Sequence, residues 1–424
     1  MHIALITAGG AGMFCGSCMH DNTLARALLA AGHEVSLIPT YTPIRVDESD
    51  VSTRHVFLGG INIYLDALLP GWRYLPRAVT RWLDSPAILN LVTRIAISSN
   101  PRKLGMLTIA LLAGDLGPQA REIEELVNFI GQQLKPDVVC FSNALLAGVL
   151  PRLRQVFSGK ICCLLQGDDI FLEDLIEPYR QQALQLLRTH ARLFDGFLVH
   201  SGYYRDFMAG YLELPFEKLH VVPLGIDLAG HDGLPAEQPG DPFTIGYFAR
   251  ICPEKGLHLL VDALRIVHRQ QPRTRLVAAG YLGQRDQSYF DNLINSARNL
   301  GEAFCYVGSP ASHVEKVAFL KSLDVLSVPT IYREPKGLYV LEALANGVPV
   351  VQPRHGAFPE MLHATCGGLL VDPGDPADLA RGLLEMMADP RRRFELATSG
   401  RRSVHDKYNP ATMASATACV FDSL

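Results

Sequence analysis

The chain has 424 residues and a formal net charge of −4, and 48% of its residues are hydrophobic against 19% charged. Because a single hydrophobic core rarely grows beyond about 300 residues, this length predicts two domains. The composition argues against extensive disorder, and the small net charge excludes an overall field that would hold a nucleic acid by its phosphates.

Cysteine spacing and hydropathy indicate where the protein works. Nine cysteines are scattered without the even spacing of a disulfide framework, and the first residues, MHIALITAGG, are typical of a strand rather than a signal peptide. No apolar run reaches the length of about 18 residues that a membrane span needs. We therefore expect a cytoplasmic protein that does not cross a bilayer, with peripheral contact at the inner membrane surface left open.

A strand, a glycine-rich loop and a helix open the chain. His2–Thr7 form an apolar run typical of a buried strand, and a helical pattern continues to Gly32 ahead of a second strand at Val35–Pro39. The glycines of the loop are Gly9, Gly10, Gly12 and Gly16. The loop lacks a clean GxGxxG, so it does not predict a dinucleotide site. This βαβ unit begins an α/β domain that we place at residues 1–228.

Cys15 and Cys18 form the sequence CGSC within the same loop. This motif is compatible with a redox pair or with half of a zinc site. A zinc site would need a second pair of ligands at the matching spacing, and the sequence has only one CxxC. We favour small residues in an ordinary turn.

Residues 65–130 interrupt the first domain with amphipathic, helical sequence. Its aromatic and basic residues are Trp72, Arg73, Arg77, Arg81, Trp82, Arg94, Arg102 and Lys103. We favour extra helices that pack on the core with their arginines in solvent. The alternative is a platform for an acceptor or a membrane surface, because basic amphipathic helices bind anionic headgroups.

A second series of alternating strands and helices starts at Phe243. Its later predicted strands are Leu276–Gly280, Phe304–Gly308, Val325–Pro329, Val350–Pro353 and Leu369–Asp372. A polar stretch rich in glycine and proline precedes the series, and a linker belongs there. We therefore predict a second doubly wound domain over residues 229–404.

The most informative segment is Glu334–Pro349, EPKGLYVLEALANGVP, which directly follows a predicted strand. Proline in its second place suits a first helical turn, so we predict a helix from near Lys336. The first amides of this helix, at Gly337, Leu338 and Tyr339, would point past the carboxyl end of the sheet. Helix N-termini at that edge bind phosphates, which predicts an anion site.

Two glutamates belong to this segment. Glu342 falls one turn beyond Leu338, on or beside the buried face, and a carboxylate placed there needs donors such as the two hydroxyls of a ribose. Glu334 precedes the helix and can approach a sugar ring. The plainer alternative is a helix cap at Glu334 and a solvated Glu342.

Arg250 and Lys255 lie in ARICPEKG, directly after the first strand of the second domain. Two cations in such a turn can bind a diphosphate, with arginine bidentate and lysine as a point charge. The alternative is a pair of solvated surface cations. We expect that replacing either cation weakens diphosphate binding and leaves the fold intact.

Arg250 and Lys255, followed by Glu334 and Glu342 in an E-x7-E pattern, resemble the donor site of the family 4 retaining glycosyltransferases of GT-B architecture. Flanking segments agree. VVPLGID resembles the interdomain segment of that family. YVG, which ends at Gly308, resembles its base-proximal FxG motif, and LANGVPVV resembles its AxGxPVV strand. The likeness covers nearly the whole second domain and the first 40 residues.

The resemblance implies an α/β fold of two Rossmann-like, doubly wound domains that face a cleft, with a C-terminal helix over residues 405–424 that returns to the first domain. It also implies a metal-independent transfer with retention of configuration. The roles it implies are neutralisation of the leaving diphosphate by Arg250 and Lys255, ribose binding by Glu342, and binding of the donor sugar by Glu334 with the Gly337 and Leu338 amides. Such charges suit a reaction that builds negative charge on the phosphates.

Two positions depart from the family pattern. Gln166 stands where members often have a histidine that contacts the donor sugar, and glutamine keeps hydrogen bonding but cannot titrate. Lys336 replaces the usual aromatic residue of EPFG and puts a cation near the sugar. Gly308, near the base, and Gly16, beside the sugar and phosphate, complete the predicted donor-binding residues.

The sequence therefore favours a hexosyltransferase that moves a sugar from a UDP- or GDP-sugar to an alcohol acceptor in a lipid, a glycan or a small molecule. We expect no metal cofactor and no nucleic-acid partner. The base, the sugar, the acceptor and the oligomeric state stay open. A non-catalytic nucleotide-sugar-binding protein is the alternative from another class. Sugar-nucleotide epimerases of this architecture fit less well because they lack the E-x7-E spacing, and phosphorylases because they carry a pyridoxal lysine in a much longer chain.

Overall fold

A computed structural model describes residues 1–9, 15–53, 55–58 and 101–424. The basic cluster between Trp72 and Arg94, and with it most of the predicted insertion, lies outside these residues. Within the described residues no helix is both long enough and apolar enough to cross a membrane. The chain divides into two compact units, the first holding 1–200, 204–222 and 413–424, and the second holding 201–203 and 223–412.

The first unit contains a parallel sheet of six strands in the order β2-β1-β3-β4-β5-β6. Each strand is a short apolar run, as expected where helices cover both faces of a parallel sheet. Two isolated parallel bridges, Leu37 with Ser52 and Thr40 with Phe57, continue the pairing beyond β2. The strands are β1 His2–Thr7, β2 Glu34–Pro39, β3 Val138–Phe141, β4 Lys160–Leu164, β5 Gly196–Val199 and β6 Leu219–Val221.

Helices connect these strands, and the last helix of the chain packs in the same unit. Phe421 in that helix is fully buried with Ile3 and Cys162 of the sheet, and Lys160 Nζ donates a hydrogen bond to the Phe421 carbonyl at 2.6 Å. The helices are α1 Gly16–Ala30, α2 Pro101–Leu112, α3 Ala120–Asn128, α4 Leu150–Val156, α5 Asp168–Glu173, α6 Tyr179–Ala191 and α7 Gly202–Tyr211, with the last helix at Pro410–Ser423.

The second unit contains another parallel sheet of six strands, in the order β12-β11-β10-β7-β8-β9. The first and fourth strands of this unit, β7 and β10, are neighbours at the centre, where the strand order reverses. Open α/β sheets bind ligands at the carboxyl ends of the strands at such a point. The strands are β7 Phe243–Phe248, β8 Thr274–Ala279, β9 Phe304–Tyr306, β10 Val325–Leu326, β11 Val350–Pro353 and β12 Gly368–Val371.

The helices of the second unit pack on both sides of this sheet around one apolar core. They are α8 Leu257–Gln270, α9 Gln287–Ala297, α10 His313–Lys321, α11 Leu338–Ala345, α12 Phe358–Thr365, α13 Pro376–Ala388 and α14 Pro390–Lys407, so that the Pro410–Ser423 helix is α15. Leu341 and Ala345 of α11 are fully buried, as their helical spacing predicts.

The predicted α/β fold class with two doubly wound sheets is confirmed. Predicted element ends shift by one or a few residues. The helix predicted from near Lys336 begins at Leu338, with Gly337 as its N-cap. The strand predicted over Val325–Pro329 is limited to Val325–Leu326, although the Ser327 amide still donates to the Gly246 carbonyl of β7 at 2.9 Å before the loop that leads to α11.

Candidate active site

Two loops meet at the point where the strand order reverses in the second unit. One leaves β7 and includes Arg250 and Lys255, and the other leaves β10 and includes Glu334. The Ile331 amide of the second loop donates a hydrogen bond to the Glu254 carbonyl of the first at 2.8 Å. Sequence reasoning expected these loops to face each other, and the structure brings them into direct contact.

Lys255 and Glu334 form a buried ion pair. The Lys255 Nζ lies 2.5 Å from Glu334 Oε2, and the two side chains are 14% and 7% exposed. The same oxygen accepts hydrogen bonds from the Tyr332 hydroxyl at 2.8 Å and the Tyr339 hydroxyl at 3.3 Å. Glu334 therefore has the donors that a buried carboxylate requires, and it does not cap the helix.

The pKa of Glu334 reflects two opposing effects. Burial by itself would raise this pKa, but Lys255, Tyr332 and the charge of Lys336 hold it below its ordinary value. The carboxylate is consequently ionised near neutral pH. Burial, together with the charge of Glu334, raises the pKa values of Tyr332 and Tyr339 well above their ordinary range, so both phenols stay protonated as donors.

The two tyrosines also hold the Lys255 ammonium. Its nitrogen lies 5.0 Å from the centroid of the Tyr332 ring and 5.2 Å from that of Tyr339. Attraction between a cation and an aromatic face adds to the ion pair at such distances. Lys255 is thus fixed from three sides, which the sequence did not reveal, since Tyr332 and Tyr339 gave no separate signal for this role.

Arg250 differs from Lys255 in its surroundings. It is exposed, and within the described part of the chain no carboxylate lies within ion-pair distance of its guanidinium. Its main chain is fixed, because the Tyr247 hydroxyl donates a hydrogen bond to the Arg250 carbonyl at 2.9 Å. The role of Arg250 in binding an anion stays a prediction.

The N-terminus of α11 lies in the same loop as Glu334. Gly337 caps the helix in the left-handed conformation at φ 72°, and a Cβ atom there would lie 2.9 Å from the Phe358 ring. Both conditions favour glycine. The first hydrogen bond of the helix runs from the Val340 amide to the Gly337 carbonyl, so the amides of Gly337, Leu338 and Tyr339 precede the ladder.

Glu342 is four residues into α11 and forms a second buried ion pair. Its Oε1 lies 2.8 Å from Lys316 Nζ of α10, and the side chains are 13% and 8% exposed. The alternative of a solvated Glu342 is therefore wrong. Sequence reasoning missed Lys316, because a single lysine in an amphipathic helix gives no sign of its partner.

A buried histidine, His231, is hydrogen-bonded to Asn346 at the C-terminal end of α11. His231 is 1% exposed, and its Nδ1 accepts a hydrogen bond from Asn346 Nδ2 at 2.7 Å, while the same amide donates to the Glu342 carbonyl at 3.0 Å. This geometry places the ring proton on Nε2. Burial lowers the pKa of His231 to about 4 despite the nearby Glu342 charge, so the ring is neutral.

The other predicted donor-binding residues fall in both units. Gly308 follows β9 with φ 82°, and its carbonyl accepts from the Gly280 amide at 2.9 Å. Lys336 is buried near Glu334. Gln166 and Gly16 belong to the first unit, where Gly16 begins α1.

Gln166 is held by an acidic neighbour that the sequence did not reveal. Its Nε2 donates to Asp21 Oδ1 at 2.9 Å and to the Ser142 carbonyl at 3.2 Å. Both hydrogens of the amide nitrogen are thereby used inside the first unit.

The two six-stranded α/β sheets match the fold of glycosyltransferases with GT-B architecture. Residues 235–403 match the family model described as glycosyl transferases group 1. This segment is therefore a glycosyl transferase group 1 domain, and the enzyme class predicted from the sequence is confirmed for it. All four residues of the two buried ion pairs lie within it.

Relatives agree with this assignment. The chain is 30% identical over 244 residues to WcaL of Escherichia coli (strain K12), a protein named as a glycosyltransferase of colanic acid biosynthesis, and the match covers 55% of this chain and 57% of that protein. It is 29% identical over 423 residues to an uncharacterized glycosyltransferase of Methanocaldococcus jannaschii, covering 96% and 94%. In several other relatives the matched region spans only about half of their length, such as 48% of the glycogen synthase of Mycobacterium tuberculosis.

Solved structures show the same fold. Sucrose-phosphate synthase from Thermosynechococcus elongatus superimposes with a TM-score of 0.72 at 20% identity and covers 100% of this chain and 98% of its own. The HepE protein of Anabaena in complex with UDP has a TM-score of 0.68 at 16% identity, with full coverage of both chains. At these identities the likeness concerns the fold alone.

Proposed function

We propose that this protein is a retaining glycosyltransferase that moves a sugar from a nucleoside-diphosphate donor, bound on the second unit, to an alcohol acceptor. One observation carries the proposal. At the point of strand reversal an exposed arginine, a lysine fixed on a buried glutamate and the N-terminus of α11 all lie on loops at the carboxyl edge of one sheet.

In this proposal Arg250 and Lys255 bind the diphosphate. Departure of the sugar builds negative charge on the phosphate oxygens, and preorganised cations stabilise that charge. The Lys255 ammonium has three hydrogens and gives one to Glu334, so it can donate another to a phosphate without leaving its partner. The cations supply the positive charge that the leaving group needs, and we expect the reaction to proceed without an added divalent ion.

Glu334 would accept hydrogen bonds from the donor sugar. Its pKa lies below the ordinary value, so it presents a carboxylate rather than an acid, and it would favour the positive charge that grows on the ring as the glycosidic bond breaks. Lys336 and the Gly337 and Leu338 amides complete the proposed sugar and phosphate contacts on the second unit.

Glu342 would bind the ribose. A ribose diol offers two donors to a carboxylate, and the ion pair with Lys316 holds that carboxylate in place. We assign Lys316 a positioning role, since it acts through Glu342. Gly308, after the edge strand β9, would lie on the side of the base.

Named relatives support a nucleotide-sugar donor and leave its base open. A protein of Mycolicibacterium smegmatis that is 32% identical over 178 residues is named as a GDP-mannose-dependent mannosyltransferase. The HepE neighbour binds UDP-glucose. We propose a UDP- or GDP-hexose as donor and a hydroxyl of a glycan, a lipid or a small molecule as acceptor. A cytoplasmic location belongs to the proposal and is supported by nine cysteines outside any disulfide.

A ligand panel followed by product analysis tests the proposal. A nucleotide that binds only the folded state raises the melting temperature, so UDP, GDP and their hexose derivatives should give a shift that is reduced in Arg250→Met. With the donor so found, the anomeric configuration of the product, measured by NMR at early times, should match that of the donor. Inversion would refute the retaining mechanism, and binding without any turnover would favour a non-catalytic nucleotide-sugar-binding protein.

A further inference from the structure

Cys15 and Cys18 occupy the start of α1 in a particular arrangement. Cys15 is the N-cap, with extended backbone at φ −112° and ψ 127°, and Cys18 lies in the first helical turn. The Met19 amide donates to the Cys15 carbonyl at 2.9 Å, so this turn is fully formed. Residues three apart at the start of a helix have neighbouring side chains, as a disulfide requires.

The two thiols contact each other while both are reduced. Cys18 is hydrogen-bonded to Cys15 and also contacts Thr7 of β1. Their exposures differ, since Cys15 is half-buried and Cys18 is 2% exposed. Cys15 is therefore the more accessible of the two cysteines.

The surrounding charges distinguish the two sulfurs further. The N-terminus of a helix stabilises a thiolate placed at its cap, which favours Cys15 as the attacking sulfur. Cys15, burial and the Asp21 carboxylate raise the pKa of Cys18, so that thiol keeps its proton. Asp21 is itself buried and accepts hydrogen bonds from Thr7 at 2.6 Å and Gln166 at 2.9 Å.

We propose that Cys15 and Cys18 form a thiol–disulfide exchange site, in which Cys15 is the attacking and Cys18 the resolving cysteine. The proposal departs from our expectation of small residues in an ordinary turn. The zinc alternative receives no support from the residues that the structure describes, because they contain no group of three or more histidine, cysteine or acidic side chains that could hold a metal ion. The inference is independent of the proposed glycosyltransferase function.

The exchange proceeds in two steps with a small disulfide such as oxidised glutathione. The Cys15 thiolate attacks one sulfur of the reagent, forms a mixed disulfide and releases the first thiolate. The Cys18 thiol then gives up its proton and attacks Cys15 Sγ, which forms the internal disulfide and releases the second thiolate. The protein loses two electrons and two protons, and the reagent becomes two thiols. The two departing thiolates take up the protons of Cys15 and Cys18 and leave as thiols.

The other cysteines provide internal controls. Cys140, Cys162 and Cys163 are buried in the first sheet, and burial raises their pKa values, that of Cys162 to about 12. Cys305, Cys366 and Cys419 are exposed and lie singly in different elements. Exposed single thiols should stop at mixed disulfides with glutathione, and buried ones should not react while the protein is folded.

The experiment equilibrates the full-length protein with glutathione buffers of increasing oxidation, quenches with acid and maps every cysteine by mass spectrometry after alkylation. We expect an internal disulfide between Cys15 and Cys18 at a ratio that gives only mixed disulfides at Cys305, and full reversal by a dithiol. Because this experiment uses the wild-type protein, its result does not depend on whether a variant folds.

Two variants test the direction of the exchange. Cys18→Ser should trap the mixed disulfide on Cys15, and Cys15→Ser should leave Cys18 unmodified. The proposal is overturned if Cys15 stops at the mixed disulfide in the wild type, if Cys15 stays reduced at a ratio that modifies Cys305, or if Cys18 reacts equally well in Cys15→Ser. Circular dichroism of each variant shows whether it has kept its fold.

Discussion

Lys255 and Glu334 neutralise each other inside the second unit, with Nζ 2.5 Å from Oε2. A buried charge that loses its partner is costly, whereas a buried pair as a whole contributes little net stability. Our expectation that replacement of Lys255 leaves the fold intact is therefore revised. Lys255 belongs both to the proposed diphosphate site and to the core beneath it.

Lys255→Ala should lower the free energy of unfolding by about 3 to 5 kcal/mol, because Glu334 is left buried with its charge uncompensated. Arg250→Ala is the matched control and should cost less than about 0.5 kcal/mol, since Arg250 is exposed. Urea unfolding measures both. We also expect that the double variant Lys255→Met with Glu334→Gln is destabilised by less than the sum of the two single variants Lys255→Met and Glu334→Gln. Additive effects in this cycle would show that the pair is not coupled.

Recognition of the ribose should depend on Glu342. Wild type should bind a nucleoside diphosphate about 10- to 100-fold more tightly than its 2′,3′-dideoxy analogue, as hydrogen bonds to a charged group contribute about 1.5 to 3 kcal/mol. Glu342→Gln should lose most of that ratio, and Lys316→Met should lose part of it, which calorimetric titration can resolve. Lys321→Met, on the same helix, should keep the full ratio. Equal ratios in all four proteins would remove Glu342 from the ribose.

Stability should fall in acid through His231. Its pKa is about 4 in the folded protein and about 6.5 when unfolded, so the unfolded chain binds the proton first. The contribution of neutral His231 to the free energy of unfolding is complete above about pH 6.5 and declines as the pH falls to about 4. It amounts to at most about 3 kcal/mol. Comparing the pH dependence of the unfolding free energy of wild type with that of His231→Gln isolates this effect. Parallel curves between pH 6.5 and 4 would contradict the assignment.

Gly256 should tolerate no side chain. It has φ 72° directly after Lys255, and a Cβ atom there would lie 1.9 Å from the Pro329 carbonyl oxygen. Gly374 has the same φ and open space, so Gly374→Ala should cost only about 1 kcal/mol of backbone strain. Gly256→Ala should cost clearly more, because the two loops must separate, and it should also weaken nucleotide binding. Equal melting temperatures for the two variants would show that the loops yield easily.

The sequence predicted much of this site because its signals are local. Alternating apolar runs fix the strands, and the position of Glu334 and Gly337 after a strand places them at the carboxyl edge of the sheet. Lys316 and Tyr332 were missed as partners, because an ion pair between two helices or two loops depends on tertiary packing. The CGSC spacing did not by itself reveal the contact between Cys15 and Cys18, because a side-chain contact depends on where the helix begins.

The most direct test of the central claim is the release of nucleoside diphosphate from a panel of UDP- and GDP-hexoses, with wild type and Arg250→Met compared in the presence of EDTA. We predict turnover of at least one donor by the wild type. In Arg250→Met we predict that kcat/KM falls about tenfold or more at an unchanged melting temperature, as expected for the loss of one charge-assisted contact. Absence of release from every donor by folded wild type, or wild-type kcat/KM in Arg250→Met, would contradict the account.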